Sequence, residues 1–157
     1  MHQHIQENWN GVILPAVKDV FQTKLGIEGQ LANNALYLFP DNLGPDSDGS
    51  ALIEVGVVSA VDEYDENNSF VNIFTIVAKD VAAEHFEAVS RRLDKMNFSA
   101  LLGFWGLNDA TAEIYHKNLV LIRETEPEAF QEYLVSAIRW SLVTADANYE
   151  AVLAALG

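Results

Sequence analysis

The residues best equipped for chemistry are the carboxylates and histidines. Asp46-Ser47-Asp48-Gly49 has the spacing of part of a calcium loop, where carboxylates two residues apart share a cation and a glycine folds the backbone round it. The frame fails at both ends. Its first position is Gly44, and the place of the bidentate Glu is taken by Val55. A solvated hairpin loop accounts for these residues better. The acidic run Asp62-Glu63-Tyr64-Asp65-Glu66 lacks a glycine to wrap it round an ion and reads as a charged strand-end loop. Carboxylate pairs for glycoside chemistry would have to converge from separate elements, and nothing in the chain order brings such a pair together.

His2 and His4 fall in a terminus expected to fray. His85 sits on a predicted helix without a second ligand one turn away, and His116 sits in a predicted strand. There is no His-Glu-x-x-His pair and no Gly-x-Ser-x-Gly elbow. Gly103-Phe104-Trp105-Gly106 is not a phosphate loop. The chain has no cysteine, which removes disulfides, thiolate catalysis and cysteine-ligated zinc together. The expectation is a protein with no catalytic residues, no cofactor and no metal.

What remains are large apolar side chains. Phe104, Trp105, Tyr133 and Trp140 combine broad hydrophobic area with, in three of the four, a polar tip, the composition that dominates protein interfaces. Together with Phe86, Val89 and Leu102 they are the candidate contacts to a partner or a second copy. The competing reading is that they fill the core of this one domain.

The composition sets the class. A chain of 157 residues fits a single domain covering residues 1–157. Half of its residues are hydrophobic and a fifth charged, which folds without staples. The net charge of -14 repels phosphate backbones and anionic lipid, so neither nucleic acid nor a membrane surface is an expected partner. It suits a basic or amphipathic polypeptide, and equally serves solubility. No Lys or Arg precedes Lys18, so no signal-peptide n-region is present, and no apolar run is long enough to span a bilayer. The expected location is cytoplasmic.

The elements that would position these residues follow from periodicity. Ile5, Trp9, Ile13, Val17 and Phe21 line one helical face, interrupted at Gly11 and Pro15, which predicts a kink; Gly26 and Gly29 end it. Strands are expected over Ala35–Phe39, Ser50–Asp62 and Phe70–Ala78, joined by two polar loops into a meander. The second and third carry apolar residues on both faces, so something must cover much of both. A helix from Val81 to Asn97 follows, with Asp80 as N-cap and Arg91, Arg92 and Lys95 in its last turns. Ala100–Leu107 and Thr111–Arg123 form a second hairpin with a tight Asn108-Asp109 turn, and a bulge or bend is expected at His116-Lys117-Asn118.

Thr125-Glu126-Pro127-Glu128 opens the last helix as a capping box with an early proline. One stripe runs from Phe130 through Leu134, Ala137, Ile138, Ser141, Ala145, Tyr149 and Val152 to Leu156. A second, beside it, holds Tyr133, Trp140, Ala147, Ala151 and Ala154. Unbroken to Leu156 it would be roughly 45 Å long, so part of it should overhang or wrap round the sheet. A break near Thr144 to Asn148 is the alternative.

The order α-β-β-β-α-β-β-α predicts an α+β fold. Through the hairpin Phe98–Arg123 and the closing helix Phe130–Leu156 with its Arg139-Trp140, this arrangement resembles the type III secretion chaperone-like superfamily, a group that includes YbjN-like proteins. The resemblance implies a twisted antiparallel sheet flanked by helices, a homodimer often formed through the second helix and the strand after it, and a non-enzymatic role holding an extended client on apolar surface. A fold does not fix an activity. Two other functions stay open: a small-ligand sensor or enzyme with its pocket between sheet and last helix, and a structural subunit of a larger assembly.

Overall fold

A computed structural model describes residues 7–41, 43, 51–59, 69–122 and 126–156. Asp46–Gly49, the run Asp62–Glu66, His2, His4 and the capping-box Thr125 lie outside them.

The interruption expected at Gly11 and Pro15 takes the form of a π turn. Trp9–Ile13 are wound wide and lead into α1 (Leu14–Leu25). Pro15 has no N–H for the carbonyl of Gly11. Just before it, Leu14 N–H reaches five residues back to Trp9 O instead of four. The extra residue keeps Trp9 and Ile13 both buried, and Trp9 Nε1 donates to Asn34 O at 2.9 Å.

Gly26, at φ 66, ends α1, but Gly29 does not act as a terminator. Glu28–Ala32 is a strand, β1, that pairs with β2 (Ala35–Phe39). Asn33 and Asn34 between them sit at φ 50 and 61, two successive left-handed residues that make the tight turn matching the twist of a hairpin. The sheet therefore has one strand more than the sequence order suggested. β3 (Leu52–Ser59), β4 (Ser69–Ala78), β5 (Phe104–Asn108) and β6 (Glu113–Leu121) complete it in the order β1-β2-β3-β4-β6-β5, antiparallel throughout. The α+β class with an antiparallel sheet holds.

Four local expectations are corrected. Asp80 is not a cap: at φ 56 it turns the chain so that Val81 N–H bonds Ala112 O at 3.0 Å. The helix starts later, with a 3₁₀ turn at Ala83–His85 and then α2 (Phe86–Ser99). It also ends later, so Arg91, Arg92 and Lys95 precede the last turn, and Arg91 pairs with Glu87 one turn back. The β5–β6 connection is a longer loop between Asn108 and Glu113, in which Asn108 Oδ1 accepts from Ala110 N–H at 3.1 Å. The irregularity lies not at His116-Lys117-Asn118 but on β4, between Ile76 and Ala78.

The last helix, α3 (Pro127–Leu153), is unbroken over 27 residues. Thr144 and Asn148 do not interrupt it because Asn148 Nδ2 bonds Thr144 O at 2.8 Å, an i−4 bond compatible with the helix. Both halves of its length are packed against the rest of the domain. The first half packs Phe130, Leu134 and Ile138 into a core with Phe21, Leu36, Ile53 and Ile73. The second half packs Ala145, Tyr149 and Val152 into another with Val89, Leu93, Trp105 and Ile114. Fully burying side chains of this size stabilises by roughly 1.5–3 kcal/mol each.

The strand residues in both cores belong to one face of the sheet, which is the face all three helices cover. Alternation puts Tyr37, Phe39, Leu52, Val58, Phe70, Phe74, Ile76, Tyr115, Leu119 and Leu121 on the opposite face. There they are half-buried or exposed. Among the described residues the expected cover for both faces is supplied for one.

Candidate functional site

The strongest candidates are two apolar surfaces on opposite sides of the sheet. On the open face, an aromatic row crosses three strands. Register places Phe104 and Phe74 either side of Lys117, and Gly106 beside Tyr115. Having no side chain, Gly106 leaves room for the Tyr115 ring to lie across it. Tyr115 stacks on Phe74 at 4.5 Å between ring centroids and meets Phe104 edge-on at 6.2 Å. Lys117 Nζ lies 5.9 Å from the centre of the Phe104 ring. The row continues into Ile76, Phe70, Val58 and Leu121, with Glu54 on β3 and Glu113 and Lys117 on β6 as the charged side chains on the same face of those strands.

The second surface is on the helical side. Met96 and Ser99 to Leu102 form one wall of a groove of about 450 Å³, and Trp140, Val143, Thr144 and Ala147 of α3 form the other, with Trp105 between them. No charged residue lines it. Leu101 and Trp140 in its lining are 97% and 59% exposed, and Phe98, just before Ser99 in the chain, is 95% exposed. Such side chains in contiguous array mark a docking surface more often than a chance of composition.

The seven predicted contact residues divide. Leu102 and Trp140 line the groove together. Tyr133 is exposed on the same stripe of α3, and Phe104 is exposed on the open sheet face. Val89 and Trp105 are buried core residues, and Trp105 also lies at the floor of the groove between its two walls. Val89 faces inward on the apolar stripe of α2. Trp105 is held by Asn97, whose Oδ1 accepts from Trp105 N–H at 2.6 Å and whose Nδ2 donates to Trp105 O at 2.8 Å. That amide acts like a neighbouring strand at the β5 edge and shields it. Phe86 is half-buried against the same core. Phe98, Leu101, Leu119 and Val143 were missed. For Phe98 the signal was present, since it falls off the α2 stripe that holds Val89, Leu93 and Met96.

The buried polar side chains among the described residues are Thr75, His116, Asn118 and Ser141, and they lie close together. Thr75 and His116 are cross-strand partners. Asn118 is two residues along β6, and its Nδ2 reaches Ser141 Oγ on α3 at 3.4 Å. Ser141 Oγ donates back to Ala137 O at 3.1 Å. His116 Nε2 bonds the Leu102 carbonyl at 3.1 Å, fixing the neutral tautomer with its proton there. Nδ1 and Thr75 Oγ1 have no hydrogen-bond partner among the described residues. Burial pushes the His116 imidazole below its ordinary value, opposed by the Leu102 hydrogen bond. Among the described residues His116 is hydrogen-bonded to the Leu102 carbonyl and to no carboxylate, so the carboxylate–histidine relay of acyl-transfer catalysis is not formed there. His116 instead anchors the loop that forms one wall of the groove. Among the described residues no cluster of three His, Cys, Asp or Glu could hold a metal, and no helix is long and apolar enough to cross a membrane.

No family model matches the chain, and no curated protein does. Among solved structures the chain is similar to YbjN from E. coli, described as a candidate transcription regulator, with 12% identity over 82% of this chain and 85% of that one and a TM-score of 0.47. A likeness at that level transfers no site residue.

Proposed function

We propose that this chain is a non-catalytic, chaperone-like protein-binding domain that works in the cytoplasm as a homodimer and holds an apolar, extended segment of another polypeptide on the open face of its sheet. The observation that carries the proposal is the one-sided placement of the helices. It leaves Phe39, Val58, Phe104 and Leu119 each about 40% exposed or more beside the Phe104–Tyr115–Phe74 row. Aromatic anchors of this kind dominate binding energy when a partner seals them from water. The -14 charge supports the reading by keeping such a surface soluble and by steering a basic or amphipathic client. The resemblance to type III secretion chaperone-like proteins points the same way.

The test is affinity capture from the native host with the wild-type chain and with a Val58→Lys, Leu119→Lys double variant. Both side chains point outward from the sheet, so the variant should melt within a few degrees of wild type. A polypeptide retained by the wild type and lost from the variant is the expected result. Equal retention by both, or none by either, sinks the proposal.

A further inference from the structure

The exposed stripe of α3 has an order that a random apolar face would not. At seven-residue intervals it reads Tyr133, Trp140, Ala147, Ala154: two large side chains, then two small ones. Tyr133 and Trp140 are 56% and 59% exposed, and Ala147 and Ala154 are exposed as well. The groove runs along α3 from Trp140 past Val143 and Thr144 to Ala147 and Asn148. Trp140 stands at one end of it, and Ala147, one heptad or roughly 10 Å on, leaves room at the other.

We propose that two copies of this chain pair antiparallel along α3, each seating its Trp140 in the other's groove. A two-fold axis between Val143 and Thr144 sets Trp140 over Ala147 of the second copy and Tyr133 over its Ala154. A symmetric dimer requires this reciprocity, residue i meeting j while j meets i. A parallel pair would set Trp140 against Trp140 and leave both grooves empty. The same axis sets Arg139 opposite the other copy's Asn148, two residues or roughly 3 Å along the helix from its Asp146, a gap an arginine side chain spans. This pairing lets two chains of net charge -14 approach, because the groove itself carries no charged lining.

The area is sufficient. Scaled by their exposures, Phe98, Leu101, Leu102, Tyr133, Trp140 and Val143 present on the order of 800 Å² per copy, matching the roughly 800 Å² per partner of a standard interface. The pairing rests on the homodimer in the proposed function and not on its client. The open sheet face, on the far side of the molecule, stays available in both copies.

The experiment is sedimentation and light scattering on the full chain, with melting curves as a check on folding. Wild type is expected at twice its 17.4 kDa chain mass. Trp140→Ala should weaken the dimer at least 100-fold, and Ala147→Trp, which fills the hole, should do the same. Arg139→Asp should weaken it less, with recovery on adding Asp146→Arg. The chain has no cysteine, so Val143→Cys provides one thiol beside the axis, and mild oxidation should give a covalent dimer. A monomer at 100 μM overturns the pairing, and so does a dimer indifferent to both Trp140→Ala and Ala147→Trp. A monomer that still retains a client removes the pairing alone, whereas a dimer that retains none removes the client reading alone.

Discussion

Asn97→Ala isolates the device that closes the β5 edge. The wild-type amide makes two hydrogen bonds to one residue, accepting from Trp105 N–H at 2.6 Å and donating to Trp105 O at 2.8 Å. Alanine removes both and keeps the helix propensity of α2. Each neutral bond contributes about 1 kcal/mol net, and a polar group left dry costs about 1–3 kcal/mol more. Asn97 is half-buried, so water reaches part of the vacated site and the second cost is only partly incurred. The expected loss is about 2–3 kcal/mol, out of roughly 5–15 kcal/mol for a domain. For a chain of this length that is a fall in Tm of about 5–12 °C. Urea denaturation followed by tryptophan fluorescence reads it directly, since Trp105 is the buried indole beside the substitution. Asn97→Asp is the informative companion. Its carboxylate still accepts from Trp105 N–H but sets an oxygen against Trp105 O, so it should recover only part of the loss. A loss below about 0.5 kcal/mol for Asn97→Ala would show that the clamp contributes nothing, and the account of the shielded edge would go with it.

Two further outcomes follow from the loop that lines the groove. Gly103 sits at φ 67, and a Cβ there would lie 2.5 Å from Lys117 O and 2.7 Å from His116 Nε2. Gly103→Ala should therefore cost about 2–4 kcal/mol in chemical denaturation, and a neutral result would mean the loop rearranges at no cost. His116 supplies a pH dependence. Because burial lowers its folded pKa below 6.5, the unfolded chain takes up the proton first as pH falls. This contribution to stability is complete above 6.5 and is lost as pH drops through the lowered folded value. Denaturation midpoints between pH 7.5 and 5 should fall more steeply for wild type than for His116→Phe, and parallel slopes would refute the assignment.

Much of the architecture was legible because periodicity is a local property. The apolar spacing of Phe130, Leu134, Ile138, Ala145 and Val152 identified α3, and every one of them is buried. The alternation in β3 and β4 gave two strands that pair from Leu52 against Ile76 to Ser59 against Ser69. β1 was hidden because Glu28-Gly29-Gln30 is polar and poor in strand formers, and its fate is settled by the Asn33-Asn34 turn that folds it onto β2. The cap at Asp80 failed because a hydrogen bond from Val81 to the distant Ala112 outweighs a local capping preference.

The sequence by itself determined the element types, the antiparallel class, the acidic charge and the excess of apolar strand surface, since each depends on residue type and near-neighbour spacing. Only the tertiary structure decided which surface stays bare. Trp105 and Trp140 are the same residue in comparable apolar surroundings, yet one is buried at the β5 edge under the Asn97 clamp and the other stands in solvent on α3. A strand that is apolar on both sides does not state which side the helices will take. That choice is made by long-range packing of all three helices on one face, and it is what leaves the Phe74–Tyr115–Phe104 row and the Trp140 groove open to other molecules.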